Sequence, residues 1–248
     1  NLLQVKKLVK QIKFLFKDTN YPILIDQEGG RVCRLNKLLD TTMFTNEYFG
    51  KLYNKNINKF KIIYKIYINQ ISYLLNEIGI NINTVPVLDL RYKKASNIIG
   101  DRSYSSNPTV VSKIGNFCIN QYSKNYIGLV LKHIPGHGLA KVDSHKYTPV
   151  INKEINYLLK NDFSVFKDKK VFFAMTAHVL YKDIDPIYPA THSKKVIDII
   201  RKKVGFKSIL ISDDISMKSL KYSIKINTSK ALAAGCDLIL HCNGNMSE

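Results

Sequence analysis

Asp143 and His145 stand two residues apart in the stretch LKHIPGHGLAKVDSHKYTP, residues 131 to 149, which holds three of the chain's six histidines. In an extended loop, residues i and i+2 project to the same side. The Asp143 carboxylate can therefore accept a hydrogen bond from one imidazole nitrogen of His145 and stabilise the charged ring, which makes the pair a candidate proton-transfer dyad. The same residues also suit a plain turn with His145 in solvent. His133 and His137 have the i, i+4 spacing of helical zinc ligands, but Pro135, Gly136 and Gly138 oppose a continuous helix, so no metal is expected.

A second group, ILISDDISM, carries Asp213 and Asp214. Adjacent strand residues face opposite ways, so one carboxylate can enter a site while the other caps the following turn. A carboxylate nucleophile beside a proton-transfer group is the equipment of retaining glycoside hydrolysis. In DQEGGRVCR, Gly29 and Gly30 permit a tight turn, Asp26 can bind two hydroxyls, and Arg31 or Arg34 can bind a carboxylate. Arg102 in GDRSYSSNP has a similar role, with Asp101 orienting it.

These residues need a scaffold that gathers them, and the chain alternates helix and buried strand six times. Leu2, Val5, Leu8, Val9, Ile12 and Leu15 predict an amphipathic helix over 2–17, followed by the strand YPILIDQ. A helix over 56–78, with Phe60, Ile63, Tyr67, Ile71, Leu74 and Ile78 on one stripe and Gly79 as its cap, leads into INTVPVLDL. A helix after SSNP leads into IGLVLKHI, 153–167 into VFFAMTAH, 193–203 into SILISDD, and 226–234 into DLILHC. No G-x-G-x-x-G follows any strand. Asp26, Asp89, Lys132 with His133, His178, Asp213 with Asp214, and Asn243 all fall at C-terminal strand ends, the face that carries the active site in barrel enzymes. The expectation is an α/β, TIM-type (β/α)8 barrel with about six of its eight strands, one catalytic domain over 1–248 lacking N-terminal strands and C-terminal helices. The irregular segment 31–55 reads as a long loop over the rim.

Composition narrows the classes further. The 248 residues suit one barrel of about 200 to 250 residues. Apolar runs stay well short of the roughly 18 residues of a membrane span. Cys33, Cys118, Cys236 and Cys242 are widely spaced, which fits a reduced, cytoplasmic chain. Lys+Arg of 38 against Asp+Glu of 19 gives a formal charge of +19, but the lysines are scattered rather than patched, so no nucleic-acid partner is expected.

Taken together, ILIDQEGGRVCRL, NTVPVLDL, IGDRSY, LKHIPGHG with DSH, AMTAHVLY, DPIYPATHS, GF with ILISDDISM, and AAGCDLIL occur in the order and at about the spacing of bacterial β-N-acetylhexosaminidases of glycoside hydrolase family 3. The chain resembles that family over essentially its whole length. The resemblance implies a retaining exo-acting enzyme that removes N-acetylglucosamine from muropeptide fragments during cell-wall recycling, without a cofactor. It implies Asp213 as nucleophile, His145 as acid/base oriented by Asp143, and substrate contacts from Asp26, Arg34, Arg102, Lys132 and His133. Two other classes remain open on the residues alone. Lys132 ends a strand where an imine-forming lysine of a Schiff-base lyase would sit, and the chain could bind a sugar or an anionic polymer without turnover.

Overall fold

The computed structural model describes residues 2–245 and Ser247. Its principal elements in chain order are α1 (Leu2–Leu15), β1 (Leu24–Ile25), α2 (Asn46–Lys55), α3 (Ile57–Ile78), β2 (Ile82–Asn83), α4 (Pro108–Lys124), β3 (Gly128–Ile134), α5 (Ile155–Lys160), β4 (Phe173–Thr176), α6 (Lys194–Ile199), β5 (Ile209–Asp214), α7 (Ile224–Ala234) and β6 (Leu238–Leu240). The six strands form one sheet in simple chain order, every neighbouring pair parallel. Parallel neighbours need a crossover, which the helices supply, and the sheet curls into a half-barrel with helices outside.

The helices are held by apolar stripes. On α3, Phe60, Tyr64, Ile68, Ile71, Leu75 and Ile78 are buried at helical spacing, and Asn56 caps the start by accepting a hydrogen bond from Lys59 N. Gly79 stops the helix at φ 88°, the left-handed conformation that glycine adopts without a Cβ penalty. Phe49, Phe60, Tyr64, Tyr67 and Phe117 form an aromatic cluster between α2, α3 and α4.

The inner face of the half-barrel is a separate, thinner layer. Ile82, Val130, Met175 and Ile211, one each from β2, β3, β4 and β5, pack together there. Strand side chains alternate with period two, so positions two residues further on return to the same face. Those positions are Thr84, Lys132 and Asp213, which places them at the C-terminal rim above the apolar layer. Pleat and register thus decide which polar residues share a site.

Three expectations need correction. The segment 31–55 is not one long loop: Val32–Cys33 pairs antiparallel with Gln27–Gly29, and α2 occupies Asn46–Lys55. Thr45 caps α2 by accepting from Tyr48 N, and Phe49 and Leu52 turn inward, so the helix is driven by a short stripe that irregular neighbours obscure. The helix expected over 153–167 ends at Lys160 and resumes as a 3-10 turn at Ser164–Phe166, where the Ser164 hydroxyl donates to the Asn161 carbonyl. The strand INTVPVLDL makes regular ladder contacts only at Ile82–Asn83. Pro86 has no N–H to give, and pairing returns as a bridge between Val87 and Lys132.

One close approach is needed to seat α2. A Cβ on Gly50 would lie 1.7 Å from the Tyr104 carbonyl oxygen. Alanine favours helix over glycine by about 1 kcal/mol, whereas overpacking costs about 1–3 kcal/mol, and the backbone oxygen has little room to yield. Gly50→Ala should therefore lower the urea midpoint. An unchanged or higher midpoint would show that α2 is not pressed against Tyr104.

Candidate functional site

The rim residues surround a cavity of about 260 Å³ whose lining includes Asp26, Glu28, Arg34, Arg102, Lys132, His133, His145 and Asp213. One wall is a buried ion cluster. Arg102 donates from Nε and Nη2 to the two oxygens of Glu28, both at 2.9 Å, and Lys132 Nζ lies 2.6 Å from Glu28 Oε1. Lys132 also donates to Asp26 at 2.8 Å and to Thr84 at 2.9 Å, while Thr84 hydrogen-bonds Asp26. Arg34 reaches Asp26 at 3.4 Å from an exposed position.

Burial alone would push the Glu28 carboxyl up, but Arg102 and Lys132 outweigh it and hold the group at about 2. Burial pushes Asp26 the same way, and Lys132, Thr84 and Arg34 hold it well below the usual carboxylate range. Lys132 shows the converse: burial pulls its ammonium down, yet Glu28 and Asp26 keep it above its ordinary value. A lysine so held is a charged hydrogen-bond donor, not the neutral amine that imine formation needs.

The floor comes from β3 and β5. Asp89, fully buried, accepts from His133 N at 3.2 Å and meets His133 Nδ1 at 2.6 Å, while its other oxygen accepts from His137 N at 2.6 Å. The register shifts between Lys132 and Ile134, and Lys132 and His133 both line the cavity. Asp213 continues the inner face from Ile211, as the pleat requires. Burial raises its carboxyl, but His178, His133, the Asp214 N–H and Lys132 together lower it, so Asp213 is anionic at neutral pH.

Asp214 has a different role. Its carboxylate accepts from Ser216 N at 3.0 Å, Ser216 Oγ at 2.7 Å and Cys242 N at 3.1 Å, tying the turn after β5 to the end of β6. His178 sits behind this turn, with Nε2 3.0 Å from the Asp214 carbonyl and Nδ1 2.7 Å from the Thr191 hydroxyl.

The loop 139–149 supplies the remaining wall. Asp143 Oδ1 lies 2.9 Å from His145 Nδ1 and accepts from His145 N at 2.8 Å, so the expected pairing forms. Burial raises the Asp143 carboxyl, but the His145 N–H and ring together with Lys146 outweigh it and lower it. His145 is 62% exposed at its side chain while still lining the cavity.

Asp101 does not orient Arg102. It pairs with Arg31 at 2.9 Å, and the Arg31 guanidinium is further occupied by the Ile98 and Ile99 carbonyls, which leaves Arg34 the freer of the two arginines. Glu28 is the functional residue that sequence reasoning passed over. Its signal was present: Asp26 and Glu28 are two apart in extended backbone, so both can face one site. Among the described residues, no three His, Cys, Asp or Glu side chains are grouped to hold a metal ion.

Comparison with known proteins places this geometry. The glycosyl hydrolase family 3 N-terminal domain matches residues 1–248. A beta-hexosaminidase of Nitrosomonas eutropha is 32% identical over 230 residues, covering 89% of this chain and 64% of the relative. One from Actinobacillus succinogenes is 34% identical over 249 residues, covering 97% and 70%. The chain thus spans 64% of the Nitrosomonas relative and 63% of a similar one from Aromatoleum aromaticum. Among solved structures, NagZ from Neisseria gonorrhoeae in complex with N-trifluoroacetyl-D-glucosamine superposes with a TM-score of 0.87 at 29% identity, covering 98% of this chain and 71% of that one. A family 3 β-N-acetylglucosaminidase from Paenibacillus sp. str. FPU-7 superposes with a TM-score of 0.85 at 28% identity, covering 97% and 46%. By sequence and by fold, this chain belongs to glycosyl hydrolase family 3.

Proposed function

We propose that the chain is a retaining exo-β-N-acetylglucosaminidase that removes terminal N-acetylglucosamine from muropeptide fragments. The observation that carries this reading is the shared cavity, whose lining combines an anionic Asp213, His145 paired with Asp143, and a fixed array of charged hydrogen-bonding groups. The hexosamine in the Neisseria gonorrhoeae complex and the names of the relatives agree with the same substrate class. The four free cysteines suit a reducing compartment, and we place the protein in the cytoplasm.

In this mechanism the Asp213 carboxylate attacks the anomeric carbon while imidazolium His145 gives its proton to the departing glycosidic oxygen. The C–O bond breaks, the aglycone leaves as an alcohol, and a glycosyl ester forms on Asp213. Water then attacks the same carbon as neutral His145 takes its proton, which restores both groups and retains the configuration. Asp143 holds the ring and offsets its charge. Asp26, Lys132, Arg102, His133 and Arg34 take the sugar hydroxyls and acetamido group, and Glu28 keeps the two buried cations in place. The held charge on Lys132 weighs against the lyase alternative.

Three outcomes are expected. Asp213→Asn should reduce release of 4-nitrophenol from 4-nitrophenyl N-acetyl-β-glucosaminide on the order of 10³-fold or more, and near-normal turnover would exclude Asp213 as the nucleophile. Asp143→Asn should lower kcat by about 10- to 100-fold with little change in KM, whereas a change confined to KM would mean that Asp143 serves binding. Glu28→Gln, which leaves Arg102 and Lys132 without their shared carboxylate, should cost about 3–5 kcal/mol at pH 7 by urea denaturation. Because the folded carboxyl is held at about 2, below its ordinary value of 4.5, its stabilisation is present above pH 4.5 and fades as the pH falls toward 2. The gap between Glu28→Gln and the parent should narrow over that window, and a pH-independent gap would mean that the charge is not the cause.

A further inference from the structure

We infer that the hydrogen bond between Ser144 and His137 is the tether that positions His145, which makes His137 and Ser144 positioning residues for proton transfer. This inference rests on the reading of His145 as the acid/base.

The loop carrying the dyad is almost entirely in solvent. Between Ala140 and Pro149, Ser144 alone is buried, at 3% exposure, while Lys141, Val142, His145, Lys146 and Tyr147 are exposed. The loop's own bonds are internal: Lys146 N and Tyr147 N donate to the Asp143 carbonyl, and Asp143 takes the His145 N–H and ring. None of these fixes the loop to the barrel. Its ends are fixed elsewhere, by Ser96 N donating to the Ala140 carbonyl and by the Thr148 hydroxyl donating to the Ser219 carbonyl at 2.6 Å. Among the described residues, one side-chain hydrogen bond ties the interior of the loop to the scaffold: Ser144 Oγ and His137 Nε2 share a bond of 3.0 Å.

The anchor end is rigid for identifiable reasons. His137 N donates to buried Asp89, the same carboxylate that grips His133, and the His137 ring lies 5.6 Å from the His133 ring. The adjoining turn is confined as well, since the Tyr181 hydroxyl donates to the Gly136 carbonyl and a Cβ on Gly138 would meet the Leu90 carbonyl oxygen at 2.1 Å. His137 is 2% exposed, and its Nδ1 has no partner among the described residues, so Ser144 is the only group its ring hydrogen-bonds there. Burial pushes the imidazole down to about 4, which leaves it neutral at working pH. A neutral ring with one satisfied nitrogen contributes placement, not proton transfer.

Ser144 lies between Asp143 and His145, so fixing its side chain fixes the backbone from which both dyad members project. Loss of the hydroxyl leaves the dyad intact as a pair but free to wander with the loop. A misplaced acid matters only where the leaving group needs a proton, because a strongly acidic phenol departs unaided. That difference separates positioning from a general structural effect, which would slow all substrates alike.

The test uses the full chain with two aryl N-acetyl-β-glucosaminides, phenyl and 2,4-dinitrophenyl, compared by kcat/KM. His145→Ala sets the scale, with the phenyl substrate falling on the order of 10²-fold or more and the dinitrophenyl substrate little affected. Ser144→Ala should show the same selectivity at smaller size, about tenfold on phenyl and under about twofold on dinitrophenyl. Equal losses on both substrates, or none on either, would overturn the tether. If His145→Ala is itself unselective, the acid/base reading fails instead. Hydrogen exchange needs no turnover and judges the tether separately. Amides of 141–147 should exchange about tenfold faster in Ser144→Ala while those of 128–134 stay unchanged, and unaltered exchange in the loop would refute the proposal.

Discussion

Glu28 meeting Arg102 and Lys132 is the interaction on which the candidate site depends. Taking a carboxylate and two cations out of water is costly, and only close, multiply hydrogen-bonded geometry offsets that cost. Here the offset comes from a bidentate arginine on one side and a lysine shared with Asp26 and Thr84 on the other. The three charged groups come from the hairpin after β1, the turn before α4, and β3. The cluster therefore stitches distant segments of the rim together while presenting polar groups to the cavity. It also favours the ammonium form of Lys132, because Glu28 and Asp26 outweigh the pull of burial.

The half-barrel divides its labour by the pleat. Ile82, Val130, Met175 and Ile211 seal the interior, and the positions two residues beyond three of them carry Thr84, Lys132 and Asp213 up to the rim. Asp214, one residue out of phase, is turned to backbone and hydroxyl donors and holds the turn. Two adjacent carboxylates thus serve different ends because the period of a strand is two. The wall that carries the Asp143–His145 pair is built on other terms. It is a solvent-exposed loop with its ends fixed and, among the described residues, one side-chain tether within, the arrangement expected where a group must approach a bound ligand and withdraw.

Much of this was legible without coordinates. The recurrence of apolar stripes and short aliphatic runs predicts parallel strands and crossover helices because helix and strand periods differ locally. The cap at Gly79 and the pairing of Asp143 with His145 follow from local geometry and hold in the structure. What was missed has a common character. The helix α2 depends on Gly50 reaching the Tyr104 carbonyl and on Phe49 joining an aromatic cluster with α3, neither visible within its own ten residues. Arg31 and Arg102 look equivalent along the chain, and their different carboxylate partners lie some seventy residues away in sequence.

The sequence by itself determined the alternation of parallel strands and crossover helices, the face each strand residue would occupy, and the chemistry available at the strand ends, because these depend on residue type and on spacings of a few residues. Tertiary structure alone decided which charges pair, which donors hold each of the two neighbouring aspartates, and why Ser144 rather than its exposed neighbours meets His137. Those outcomes depend on distances between segments far apart in the chain, and on burial, which turns the same side chain from a solvated ion into a fixed partner.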